Sequence, residues 1–189
     1  MAQIFPSIFP HDLDSPEMLK LGIQVEYEIY NKLKKLSNDF EIFCGPKFIK
    51  KNLYGDMRDG EYSDFIIVHK DKGILFLECK GGSISYRANE VRWYQNKNIL
   101  KKSPIKQAND GKLSLIALLQ SSKYKEEINI NSIPTIHGAI FPNTPKPSNI
   151  TLSADIKPEM IIWAEDCEDL SLSILNLLDL NQSKKEISG

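Results

Sequence analysis

Two apolar runs at residues 65–68 (Phe-Ile-Ile-Val) and 74–77 (Ile-Leu-Phe-Leu) flank a polar connection, His69-Lys-Asp-Lys-Gly73. Short runs rich in β-branched and aromatic side chains, joined through a glycine-containing turn, predict two strands of a hairpin. Asp64 precedes the first run, and Glu78 and Lys80 follow the second, two positions apart. Alternate residues on a strand share a face. The hairpin therefore brings Asp64 close to Glu78 and sets Lys80 beside them, at the end of an otherwise apolar element. A divalent metal ion with a phosphate next to it would account for two carboxylates and an ammonium gathered there. Taken only as spacing, Asp followed by Glu-x-Lys is a weak pattern, and a structural salt bridge is the simpler alternative.

The 189 residues, 41% hydrophobic and 26% charged, suffice for one sizeable core. One domain over residues 1–180 is expected, with a core at about 15–120, a strand-strand-helix extension at 133–180 and a polar tail at 181–189. No apolar run approaches the length of a membrane span, and the N-terminus lacks the basic start and long apolar region of a signal peptide. The expectation is a cytoplasmic protein without a membrane partner. Cys44, Cys79 and Cys167 are few, scattered and odd in number, which argues against a disulfide framework or a structural zinc site. Formal net charge is −1, so any case for nucleic acid rests on local clusters. Lys47, Lys50 and Lys51 form one. Lys97, Lys101, Lys102, Lys106 and Lys112 form another just past the hairpin.

In chain order, residues 15–36 read as a helix, with Ser15 as cap, Pro16 in the first turn and lysines at the end. Its stripe runs through Leu19, Ile23 or Gly22, Val25 or Glu26, Ile29, Leu33 and Leu36, which puts Glu26 at the stripe's edge. Residues 39–44 alternate as a strand, and 47–59 read as a loop with at most a short strand around Phe48 and Ile49. A small hairpin is expected over 83–94 with Trp93 in the core, and Ile99-Leu100 as a further short strand. Ser103-Pro104 opens a second helix to about residue 120, with Ile105, Ala108, Leu113 or Lys112, Ile116 and Leu119 inward and Gln107 in its first turns. An exposed connection at 121–132, strands at 133–141 and 160–164 and a helix at 169–180 complete the reading. His137 falls in the penultimate strand and reads as a core or edge histidine. Helix, strands, helix, two strands and helix assemble naturally as an α/β three-layer sandwich, a mixed sheet flanked by helices.

Asp64 and Glu78 offer the hard oxygens that magnesium prefers, while Lys80 would orient an attacking water or offset charge on a phosphate. The Cys79 backbone carbonyl, between Glu78 and Lys80, is a candidate third ligand. The motifs Gly60-Glu-x-x-Asp64-Phe-Ile-Ile-Val68, Gly73-Ile-Leu-Phe-Leu-Glu-Cys-Lys-Gly-Gly82, Trp93, and Ser103-Pro104 with Gln107-Ala108 closely resemble the nuclease-related domain, NERD, of the PD-(D/E)XK nuclease superfamily. Upstream, Gly22-x-x-Val25-Glu26-x-x-Ile29-x-x-x-Leu33 is similar to that family's first helix, with Val25 in place of a usual second glycine and Glu28 as the nearest other acid. The resemblance implies a restriction-endonuclease-like fold and a deoxyribonuclease dependent on Mg²⁺ or Mn²⁺. It implies Asp64 and Glu78 as metal ligands, Lys80 as catalytic lysine, Glu26 as an auxiliary acid and Gln107 as a helix residue facing the site. DNA would be the substrate, contacted by Lys97, Lys101, Lys102 and Lys106. The N-terminal Met-Ala-x-Ile-x-Pro and the later His137-Gly-Ala-Ile-Phe-Pro142 are similar to proteins in which this domain precedes a superfamily-one helicase, implying such a partner in cis or in trans. A DNA-binding or helicase-recruiting module without cleavage is the alternative.

Overall fold

The computed structural model describes residues 1–9, 21–51, 57–61, 63–121 and 126–180. At its centre stand β5 (Phe65–His69) and β6 (Gly73–Cys79), antiparallel from Phe65 opposite Leu77 to His69 opposite Gly73. Gly73 has a φ of +100°, and a Cβ there would lie 2.1 Å from the Pro134 carbonyl oxygen. Only glycine meets both demands. On one side, β2 (Phe40–Cys44) pairs antiparallel with β5, and β1 (Gln3–Phe5) pairs parallel with β2. On the other, β10 (Thr135–Ile140) runs parallel to β6, and β11 (Ile161–Ile162) parallel to β10. The mixed sheet has the order β1-β2-β5-β6-β10-β11. All of β6 is buried, as a strand covered on both faces must be.

Period-2 alternation sorts the central strands between two apolar clusters. Phe65, Ile67, Leu75, Leu77 and Cys79 join Val25, Ile29 and Leu33 of α1 (Leu21–Leu33) and Ile174 and Leu177 of α3 (Leu170–Asp179). Ile66, Ile74 and Phe76 pack instead with Leu115, Ile116 and Leu119 of α2 (Pro104–Ser121). Helices α1 and α3 cover one face and α2 the other. This is the expected α/β three-layer, restriction-endonuclease-like sandwich, and it leaves Glu78 and Lys80 on the α2 side by parity.

Two smaller sheets flank it. β3 (Lys47–Lys51) and β4 (Met57–Glu61) form an antiparallel ribbon. β7 (Ile84–Arg87), β8 (Arg92–Gln95) and β9 (Asn98–Ile99) form a three-stranded sheet, with Trp93 buried as expected. The ribbon corrects the loop expected over 47–59. Met-Arg-Asp-Gly-Glu has no apolar alternation to betray a strand, and it is held by its ladder to β3. β1 was not foreseen either, because three residues carry too little pattern to show a pairing across more than thirty intervening residues.

Other elements differ at their ends. α1 stops at Leu33, short of residue 36, because Leu36 N–H bonds the Leu33 carbonyl at 3.1 Å and tightens the last turn. Its expected cap, Ser15, with Pro16 and Leu19, lies outside the described residues, as does the tail at 181–189. In α2 the alternative between Leu113 and Lys112 resolves in favour of Lys112: Leu113 is 53% exposed, whereas Lys112 reaches His137 Nδ1 at 3.0 Å. The last strand covers only Ile161–Ile162, bounded by single 3₁₀ turns at Pro158–Met160 and Glu165–Cys167. α3 begins where expected, capped by Asp169 Oδ1, which accepts from Leu172 N–H at 3.0 Å.

Candidate functional site

The register of β5 and β6, carried one step past Phe65 and Leu77, sets Asp64 opposite Glu78. The Asp64 carboxylate accepts a hydrogen bond from the Cys79 backbone N–H at 2.7 Å, so it reaches across to the strand that carries Glu78. Lys80, the first residue past β6, donates to Glu78 Oε1 at 2.6 Å, and its own N–H holds the Ile140 carbonyl at 3.0 Å. Glu78 is 6% exposed, and the Lys80 side chain 20%. The hairpin thus gathers three charged groups in a space largely closed to water.

Their electrostatics follow from that closure. Burial, followed by the charges of Glu78 and Glu26, raises the Asp64 carboxyl well above the ordinary carboxylate range, against the opposing pull of Lys80 and the Cys79 N–H. Burial alone would pull the Lys80 ammonium down. The charges of Asp64 and Glu78 and the bond to Glu78 outweigh it, so Lys80 stands above the usual lysine value and is charged at neutral pH. The site is over-supplied with negative charge. The three cysteines are free and buried, and none is a thiolate: burial pushes Cys44 up to about 12 and Cys167 to about 11, and raises Cys79 as well.

A cleft of about 450 Å³ opens beside these groups, and its walls draw on every layer of the fold. Glu26 and Gly22 come from α1, Cys79 and Lys80 from the end of β6, Gln107 from α2, and Lys101 and Lys102 from the segment leading into α2. The structure therefore sets Glu26, Lys80 and Gln107 around one space, with Asp64 and Glu78 tied to its wall through Cys79 and Lys80. Glu26 is half-buried, whereas Glu28, the other acid considered, is exposed on another side of α1. Lys97 and Lys106 are not on this wall. Lys97 sits exposed in the β8–β9 turn at φ +69°, and Lys106 faces a neighbouring cleft. Gln95 was not anticipated. It lines the cleft and donates to the Gly81 carbonyl at 2.8 Å, and nothing local in the sequence marks it.

Gly81 to Ile84 are further clamped by side chains from two other segments. Asn143 Oδ1 accepts from Gly82 N–H at 3.0 Å, and Asn96 Oδ1 accepts from Ser83 N–H at 3.0 Å. Thr144 Oγ1 accepts from Ile84 N–H and donates to the Gly82 carbonyl, both at 2.9 Å. Gly82, at φ +77°, leaves no room for a Cβ beside the Asn96 side chain. These bonds fix the chain directly after Lys80.

A divalent cation suits this donor set. Among the described residues no three His, Cys, Asp or Glu side chains form a ready cage. Mg²⁺ needs none, since it takes one or two carboxylates and completes its shell with water and phosphate oxygens. Asp64 and Glu78 could supply those two carboxylates, and the crowding that raises Asp64 is what a cation would relieve.

In comparison with known proteins, a model of the family described as the nuclease-related domain, NERD, matches residues 21–141. That span holds Glu26, Asp64, Glu78, Lys80, Gln95, Lys101, Lys102 and Gln107, while Asn143 and Thr144 of the clamp lie just past its end. No curated protein and no solved structure matches the chain.

Proposed function

Since this chain belongs to the nuclease-related domain family of the PD-(D/E)XK nuclease superfamily, we propose that it is a Mg²⁺- or Mn²⁺-dependent deoxyribonuclease that hydrolyses phosphodiester bonds. One observation carries the reading: Asp64 opposite Glu78, with Lys80 bonded to Glu78 at 2.6 Å, behind the wall of a cleft lined by Lys80, Glu26 and Gln107. Asp64 and Glu78 would hold the cation, with the Cys79 carbonyl and Glu26 as further oxygen donors. When bound, the metal supplies Lewis acidity toward the phosphate and lowers the pKa of a water.

The chain's own residues do the rest. Lys80, charged at neutral pH, would offset the negative charge that grows on the phosphate. Gln107 offers an amide to orient the phosphate or the water, and Lys101 and Lys102 hold the strand's backbone by charge. Gln95 and the Asn143–Thr144 clamp keep the chain after Lys80 still, so that its ammonium does not have to be ordered during the reaction.

Cleavage of single-stranded, linear and supercoiled DNA, with and without Mg²⁺ or Mn²⁺, tests this directly. Asp64→Ala or Lys80→Ala cutting as fast as the parent would sink the assignment. The helicase partnership draws on the N-terminal and 137–142 motifs, and with it comes a cytoplasmic role in DNA processing, repair or defence. Coupled measurement of helicase binding and of cleavage checks it. The alternative of a non-cleaving DNA-binding module rests on the basic clusters, and the closed Lys80–Glu78 pair is compatible with it. Calorimetry decides between the two, since a competent site binds Mn²⁺ and loses it in Glu78→Ala.

A further inference from the structure

A second cleft of about 460 Å³ shares the first turns of α2 with the Lys80 cleft. Lys101, Lys102 and Gln107 face the first cleft, while Lys106 and Asn109 face the second. The segment bordering both, residues 84–106, carries six cations against the single carboxylate of Glu90, in a chain whose net charge is −1. Its far wall is apolar and aromatic. Tyr86 packs on Trp93 with ring centroids 5.0 Å apart, and Val91 stands at the lip.

Val91 is the anomaly. It is β-branched, sits at φ +54° and is 65% exposed, so a strained backbone holds an apolar side chain out in solvent with no burial to offset it. The loop 88–91, closed by Glu90 N–H to the Arg87 carbonyl and Val91 N–H to the Ala88 carbonyl, holds it there at a cost of about 1–3 kcal/mol. The polar groups are arranged by sign. Lys106 is an exposed cation on the α2 side, and Asp155 is an exposed acid across the cleft. His137, pushed down to about 4 by burial and then by Lys112, is neutral and accepts from Lys112 at Nδ1. An anionic phosphate belongs beside Lys106 and away from Asp155. A donor is favoured toward Asp155, and the exocyclic amino group of cytosine, adenine or guanine is one. A flat ring with an amino edge and a phosphate on its other side is a nucleotide, and only an unpaired one presents both its face and that edge.

We propose that this second cleft binds one unpaired nucleotide of single-stranded DNA, stacked against Val91 and Tyr86, with an adjoining phosphate on Lys106 and the strand continuing into the Lys80 cleft. This rests on the nuclease reading above for the direction of the strand, and it names single-stranded DNA as the substrate.

The test is fluorescence anisotropy in EDTA with labelled oligodeoxycytidine and oligothymidine of about ten nucleotides and with a duplex of the same length. The parent is expected to bind oligodeoxycytidine at least about fivefold more tightly than the duplex. Val91→Gly relieves the positive φ, so it melts no lower than the parent yet binds the single strand about five- to tenfold more weakly. Lys106→Glu weakens it about tenfold, and Asp155→Asn erases the preference for cytidine over thymidine. Binding at parental strength in both Val91→Gly and Lys106→Glu, or duplex bound as tightly as single strand, overturns the proposal. Cleavage is scored separately with Mn²⁺. A parent that cuts while these variants bind normally refutes the cleft assignment alone. A parent that never cuts, but binds single strands through Val91 and Lys106, refutes the nuclease reading and upholds the cleft.

Discussion

Replacing Lys80 by methionine separates the charge of this residue from its bulk. Methionine keeps most of the apolar contact of the lysine stem and removes the ammonium. In the parent that ammonium lies 2.6 Å from Glu78 Oε1, with the Glu78 side chain 8% and the Lys80 side chain 20% exposed. Removing one partner of a pair buried to this extent leaves an uncompensated charge, at a cost of about 3–5 kcal/mol. A proton caps the loss, because the crowded carboxylates take one up when ionisation costs more. The loss is therefore pH-dependent. Asp64 already stands above its ordinary value, and without Lys80 it rises further. A carboxyl raised in the folded state contributes stability that is full at low pH and is lost as pH rises through the folded value. Lys80→Met should accordingly be close to parental near pH 5 and weakest near pH 8. At pH 8 the urea midpoint is expected to fall by about 1–2 M for a protein of this size. Cleavage at the same pH should drop about 10²–10³-fold, the usual loss when one charge-stabilising donor is removed. An unchanged midpoint at both pH values, or a larger loss at pH 5 than at pH 8, would refute the electrostatic account of the site.

Other outcomes follow from the same geometry. Asp64→Asn keeps an oxygen to accept the Cys79 N–H while deleting a charge that burial and Glu78 oppose, so it should unfold later than the parent at pH 8, by a margin that shrinks toward pH 5, and cut at least about 100-fold more slowly. His137 is held at about 4 against an ordinary 6.5, so the unfolded chain binds the proton first and stability falls as pH drops through that window. His137→Gln should flatten that part of the acid limb, by at most about 3 kcal/mol in chemical denaturation. Gly73→Ala sets a methyl against the Pro134 carbonyl at a positive φ, and thermal melting should show a loss of about 2–4 kcal/mol without any change in metal affinity per folded molecule.

Local periodicity made the central hairpin, the helices and the Asp64, Glu78 and Lys80 cluster legible in the sequence. Apolar alternation on β5 and β6 fixes which side chains share a face. The glycine turn fixes the register, and the register alone brings Asp64 opposite Glu78. No distant part of the chain is needed for that result. What lies around the cluster was decided elsewhere. Whether Glu26 or Glu28 approaches depends on the rotation of α1 about its axis, which is set by Val25, Ile29 and Leu33 packing on the sheet. That Lys106 serves a different cleft from Lys101 and Lys102 depends on where α2 crosses the sheet, and Gln95 and Asn143 reach the chain after Lys80 only because β8 and the segment after β10 converge there. β1 and β4 leave no period in the sequence, β1 because three residues with one buried side chain, Ile4, are too short a pattern and β4 because it is held by its ladder to β3. The sequence by itself determined the charged core of the site, since a hairpin's geometry is local. Only the tertiary structure decided what walls it and what lies beside it, because those neighbours meet through packing between segments far apart in the chain.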